Sequence, residues 1–112
     1  MHTPEAIIVL TTLPDQEAAE KFAVGLIENR LAACVNVLAP ARSYYRWQGA
    51  IQADAEAPLL IKTVRARYAA LEAWMRANHP YELPEIVVVP IERGLPAYLD
   101  WLAAECQPMN EE

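Results

Sequence analysis

Of the two histidines in the 112-residue chain, only His79 lies in a segment with the makings of a site. It opens the run His79-Pro80-Tyr81-Glu82-Leu83-Pro84-Glu85, so Tyr81, Glu82 and Glu85 follow an imidazole within a few residues. An imidazole nitrogen is a good ligand for Cu(II), which stands highest in the divalent affinity order, and the carboxylates bring oxygen donors close. The same segment has a plainer use, because a histidine ending a helix can cap it and pack beside the next proline. Cys34 could add a thiolate, although its apolar strand context favours burial as a small hydrophobe. Lowering its pKa would take a nearby cation, for which Lys62 or an arginine would have to serve. Glu56, Glu82 and Glu85, with Lys62 and the aromatic arm, have the character of a cleft lining, and equally that of ordinary solvated surface.

Templates for catalysis fit poorly. There is one serine, Ser43, with no G-x-S-x-G elbow around it. The three glycines, Gly25, Gly49 and Gly94, build neither a P-loop nor a dinucleotide fingerprint. His79 and Glu82 resemble an acid–base pair only as any exposed His–Glu neighbours would. The residues favour binding over a reaction.

Composition narrows the field further. A net charge of −6 with scattered Lys and Arg argues against nucleic acid as a partner. No apolar run reaches the roughly 18 residues a membrane span needs. Met1-His2-Thr3-Pro4-Glu5 lacks the basic start of a secretion signal, and the reading is a cytosolic protein. Cys34 and Cys106 form no CxxC pair and are expected as reduced, largely buried thiols. The length suits one domain over residues 1–112, ordered from about 5 to 106, with a frayed polar tail from Gln107 to Glu112.

These residues hang on a long central stretch, Leu31 to Thr63. Two apolar strand-like runs, Ala32–Leu38 and Pro58–Thr63, flank an aromatic arm from Ser43 to Ile51 that contains Tyr44, Tyr45 and Trp47. Gln48-Gly49 supplies a tight turn, so the stretch reads as one antiparallel hairpin. Fully extended, Leu31 to Trp47 would span roughly 55 Å, against a diameter of roughly 35 Å for a chain of this size. The hairpin must bend, with Pro40 the natural place, or project past its own domain. Before it come a strand, Ala6–Thr12, and a helix capped by Asp15 with the stripe Ala19, Phe22, Ala23, Leu26 and Ile27. After it come a helix from about Arg65 to Asn78, an extended His79–Pro84 loop, and a strand Glu85–Val89. Pro90 marks that strand as an edge. A short third helix, Pro96–Glu105, is expected with Tyr98, Trp101 and Leu102 inward.

The order β-α-β-β-α-β-α is the split βαβ, ferredoxin-like pattern of an α+β sandwich, with an extended hairpin and an added C-terminal helix. Right-handed crossovers put both main helices on one face. Yet strand residues of both parities are apolar, as in Ile7 and Val9 against Ile8 and Leu10. Leaving about six such side chains wet would forgo on the order of 10 kcal/mol, comparable to a whole domain's stability. The second face must therefore be covered, and another copy of the chain is the simplest cover. Val35, Val37, Leu59 and Ile61 suit the helix side, while Cys34, Asn36, Leu60 and Lys62 suit an interface or cleft.

Five ordered blocks carry a resemblance to a known family. They are Leu31-Ala32-Ala33-Cys34-Val35-Asn36-Val37, Ser43-Tyr44-Tyr45-Arg46-Trp47-Gln48-Gly49, Leu59-Leu60-Ile61-Lys62-Thr63, His79 through Ile86, and Tyr98-Leu99-Asp100-Trp101-Leu102. The chain resembles the CutA family of divalent-cation tolerance proteins. The resemblance implies a ferredoxin-like protomer in a tight homotrimer, similar in architecture to the PII signalling proteins, with the long hairpin reaching neighbouring subunits. It also implies tolerance to copper and other divalent cations, copper binding without an obligatory cofactor, and no enzymatic reaction. The inter-subunit cleft would draw on Asn36, Tyr45, Trp47, Glu56, Lys62, Tyr81, Glu82 and Glu85, and the metal on His79 and Cys34. A PII-like sensor or adaptor holding a small ligand or partner protein in the clefts is the alternative. In relatives with a proposed copper site the histidine matching His79 takes part, joined in some by a histidine just before it and a cysteine ending the first strand. This chain has Asn78 and Thr11 there, so that donor set is incomplete.

Overall fold

The computed structural model describes residues 5–108. Strand β1 (Ala6–Leu13) leads through Pro14 into helix α1 (Gln16–Glu28), whose N-cap Asp15 accepts from the Ala18 N–H at 2.8 Å. The hairpin is built from β2 (Cys34–Val37), β3 (Ala41–Trp47) and the unbroken 15-residue β4 (Ala50–Val64). Gln48 and Gly49 both take positive φ, 51° and 82°, the turn whose twist matches a two-residue hairpin. A 3-10 turn, Arg65–Arg67, opens helix α2 (Tyr68–Asn78). Strand β5 (Val87–Pro90) and helix α3 (Pro96–Glu105) complete the chain.

Sheet order is β2-β4-β1-β5 with antiparallel neighbours, and β3 pairs with the far half of β4. This is the expected ferredoxin-like α+β arrangement. The hairpin both bends and projects. Its first strand breaks over residues 38–40, where Pro40 has no N–H to give, while β4 runs on and the molecule reaches 50 Å in length. The radius of gyration is 15.0 Å, above the roughly 13 Å of a compact chain this size. Strand limits differ modestly from expectation. β2 is shorter, and β5 starts two residues later than Glu85 and includes Pro90 opposite Ile7 at the sheet edge.

Pleat parity sorts the sheet's two sides. Ile7, Val9, Leu59 and Ile61 are fully buried against Phe22 and Leu26 of α1 and Leu71 and Met75 of α2. Val35 and Val37 join that core, as their parity predicts. The other side is only partly covered: α3 seals Ala6 and Val64 through Leu102, Ala103 and Cys106. Beyond them Ile8, Leu10 and Leu60 stay half-buried, and Val87 and Val89 are 46% and 43% exposed.

The third helix corrects one expectation. Leu102 faces inward, but Tyr98 and Trp101 are 39% and 44% exposed and pack against each other at 5.5 Å. Ten residues of helix present one stripe to the sheet end, and Leu99, Leu102, Ala103 and Cys106 fill it, leaving the aromatics outside. The polar tail also begins tied down, since the Gln107 carbonyl accepts from Arg30 Nε at 2.6 Å. The rest of that tail, from residue 109, lies outside the described residues.

Close helix packing rests on Gly25. A Cβ there would sit 2.7 Å from Cζ2 of Trp74, a ring already packed at a tilt against Phe22 with centroids 5.1 Å apart. Gly25→Val should therefore destabilise the protein by about 2 kcal/mol, read as a lower denaturant midpoint. Trp74→Phe in the same background should recover part of that loss.

Candidate functional site

His79 is where β1, α1 and α2 meet. It forms the C-cap of α2, its N–H bonding the Met75 carbonyl at 2.8 Å, and Pro80 prevents the helix from continuing. The ring lies half-buried between Phe22, at 5.4 Å edge-on, and Tyr81, at 5.0 Å. Both ring nitrogens are engaged. Nδ1 lies 3.2 Å from the Tyr81 N–H, which can only donate, so Nδ1 carries no proton. Nε2 lies 2.9 Å from the Thr12 carbonyl, which can only accept, so Nε2 carries the proton. One neutral tautomer satisfies both partners. The Thr11 hydroxyl, 3.2 Å from Nε2, is a second polar neighbour. Burial pushes the His79 pKa below its ordinary 6.5, against weaker upward pulls from the Thr12 carbonyl and the Glu56 charge.

This geometry fixes what His79 can do. Its free lone pair, the one a metal would use, is committed to the Tyr81 amide. Ligation through Nδ1 requires Tyr81 to let go, and the 79–85 loop would have to shift. Thr11 supplies a hydroxyl rather than a sulfur, and Asn78 Nδ2 turns back to the Trp74 carbonyl at 2.8 Å. Among the described residues no three His, Cys, Asp or Glu side chains are grouped to hold a metal ion.

Beside this post lies an open groove of about 880 Å³ between the hairpin arm and the 80–85 loop. Tyr45, Trp47, Glu56, Tyr81, Glu82 and Glu85 all line it, which unites six of the expected cleft residues. Thr12, from the end of β1, donates to Glu56 Oε2 at 3.2 Å. The Tyr45 hydroxyl donates to Asp54, and that bond raises its pKa. Burial and the neighbouring Glu56 carboxylate push the Tyr81 phenol well above its ordinary value, so it stays a neutral donor.

The other expected residues lie elsewhere. Cys34 faces Lys62 across the β2–β4 ladder and Asn36 faces Leu60, on the partly uncovered side of the sheet. Lys62 is six residues along β4 from Glu56, about 20 Å at strand rise, so one protomer cannot bring them together. Cys34 is half-buried, whereas Cys106 is fully buried with its Sγ 3.4 Å from the Thr63 hydroxyl. Burial raises the Cys106 pKa and keeps it a thiol.

Asp54 and Arg46 also line the groove and were not singled out from the sequence. The turn held the signal for Asp54. A two-residue loop at Gln48-Gly49 fixes the register that pairs Ser43 with Asp54 and Tyr45 with Gln52, so Asp54 lies diagonal to Tyr45 on one side of the ribbon.

Comparison with known proteins agrees with this architecture. A family model described as CutA1 divalent ion tolerance protein matches residues 7–105. The chain is 47% identical over 95 residues to the divalent-cation tolerance protein CutA of Thermus thermophilus, covering 85% of this chain and 92% of that one. The solved structure of a Thermus thermophilus divalent cation tolerance protein superposes with a TM-score of 0.87 at 45% identity, over 89% of this chain and 97% of that chain. A chloroplastic protein CutA of Arabidopsis thaliana is 40% identical over 100 residues, 89% of this chain but only 55% of the longer relative.

Proposed function

The chain belongs to the CutA1 family of divalent ion tolerance proteins, and on that premise we propose that it acts as a homotrimer that takes up copper or another divalent cation without catalysing a reaction. The observation that carries the assembly is the partly covered sheet side, where Ile8, Leu10 and Leu60 are only half-buried and Val87 and Val89 are exposed within the protomer. A two-stranded ribbon such as β3 with the outer half of β4 is marginal alone, which favours its resting on a neighbouring copy. Metal uptake then depends on groups brought together at the clefts, because a single protomer offers no complete donor set among the described residues. The thiols of Cys34 and Cys106 suit the reducing cytosol, and we assign the protein there.

Two measurements test this reading. Sedimentation should give three copies at micromolar concentration, and a lone folded subunit would end it. Calorimetric titration with Cu(II) should give a measurable affinity that falls by about tenfold or more in His79→Ala. In the wild type, binding should also shift the Tyr81 amide resonance, because Nδ1 must release it. Identical titrations for the two proteins would remove His79 from the site.

The open groove favours a second reading. Its size and aromatic lining suit a PII-like sensor or adaptor holding a small ligand or a partner protein in the clefts between subunits. Direct binding of nucleotides and organic anions, measured at equilibrium, separates it from the metal reading.

A further inference from the structure

A positive charge sits on the sheet side that the helices cover only in part. Lys62 is half-buried on β4 between Cys34 of β2 and Ile8 of β1, amid the apolar rungs of Leu10, Leu60, Val87 and Val89. The described residues contain one ion pair, Arg65 with Glu5, and Lys62 is not in it. If a second copy closes over this side, the ammonium loses its water, and an unpaired buried charge is costly. An anion must come with the cover.

The chain carries that anion on the same strand and the same side. Glu56 shares the parity of Leu60 and Lys62 and stands about 20 Å away, at the acidic groove. It is half-buried, accepts the Thr12 hydroxyl at 3.2 Å and has the Tyr81 phenol beside it, and two carboxylate oxygens with about four lone-pair sites keep acceptor capacity beyond those neighbours. Asp54 is engaged by Tyr45, and Glu82 and Glu85 lie exposed on the loop. One side of the sheet thus has a cationic end, an apolar middle and an acidic end. A closed ring of three copies has a heterologous interface, in which different patches of one surface meet. We propose that Lys62 of one copy pairs with Glu56 of the next, so that the acidic groove is completed by a neighbour's ammonium. The pairing rests on the three-copy assembly proposed above.

Charge exchange tests it. Lys62→Glu and Glu56→Lys should each weaken association by about thirtyfold or more in sedimentation velocity, and the double exchange should restore most of it. Unchanged association in Lys62→Glu, or a double variant no better than the singles, overturns the pairing. The wild type supplies a check that needs no variant. Mixed heavy-nitrogen-labelled and unlabelled copies, treated with a water-soluble carbodiimide, should yield a Lys62–Glu56 amide joining one labelled and one unlabelled peptide. A trimer that gives no such product, and whose double exchange fails to recover, refutes the contact while leaving the assembly intact. Wild type sedimenting as single subunits refutes the assembly itself.

Discussion

Val9→Asp should abolish folding, whereas Leu10→Asp, one residue along the same strand, should leave the protomer folded but unable to assemble. Val9 is fully buried and meets Ile61 and Val88 across the ladders, beneath α1 and α2. A carboxylate there has no cation to pair with, and an uncompensated buried charge costs about 5 kcal/mol or more, a large share of a domain's stability. Leu10 points the opposite way, opposite Leu60 and Val87, on the side that α3 covers only at its Ala6 and Val64 end. Its carboxylate would stay in water in a single copy and be buried only on association. Far-UV circular dichroism and sedimentation together check the pair. A Leu10→Asp protein that still assembles fully would show that the bare side is not an interface, and the proposed function would fall with it.

The contrast between those neighbours also shows how much of the architecture was legible in residue order. Strict alternation at period 2 let Val35, Val37, Leu59 and Ile61 be assigned to the helix side, and they lie there. Asp15 as cap, Gln48-Gly49 as turn and Pro90 as edge marker each follow from local chemistry that tertiary contacts did not override. Tyr98 and Trp101 failed for the opposite reason. An apolar side chain in a short helix indicates a preference for burial, not which surface provides it, and the protomer spends its one inward stripe on Leu99, Leu102, Ala103 and Cys106. The site split along the same line. Tyr81, Glu82 and Glu85 are local in sequence and reach the groove together, and the hairpin turn brings Tyr45, Trp47 and Glu56 to them. Asn36 and Lys62 belong to another stretch of the sheet, because register along β4, which no short motif encodes, sets their distance.

His79→Gln should make the protein's stability less dependent on pH between about 5 and 7, and His79→Ala should cost about 3 kcal/mol at neutral pH. The larger figure follows from what the ring holds: two hydrogen bonds, to the Thr12 carbonyl and from the Tyr81 amide, and aromatic contacts with Phe22 and Tyr81. The pH dependence follows from the tautomer. Only the neutral ring leaves Nδ1 free to accept from Tyr81, and burial lowers the folded pKa below its ordinary 6.5. The unfolded chain therefore binds the proton more readily than the folded one, so stability rises with pH across that interval. The contribution is complete above about 6.5 and is lost as pH falls through the lowered folded value. Acidic residues elsewhere titrate in both proteins, so the informative quantity is the difference between wild type and His79→Gln in urea midpoint at each pH. That difference should favour wild type at pH 7 and shrink toward pH 5. A difference that stays constant would mean that His79 does not titrate on folding, and the assignment of its single neutral tautomer would fail.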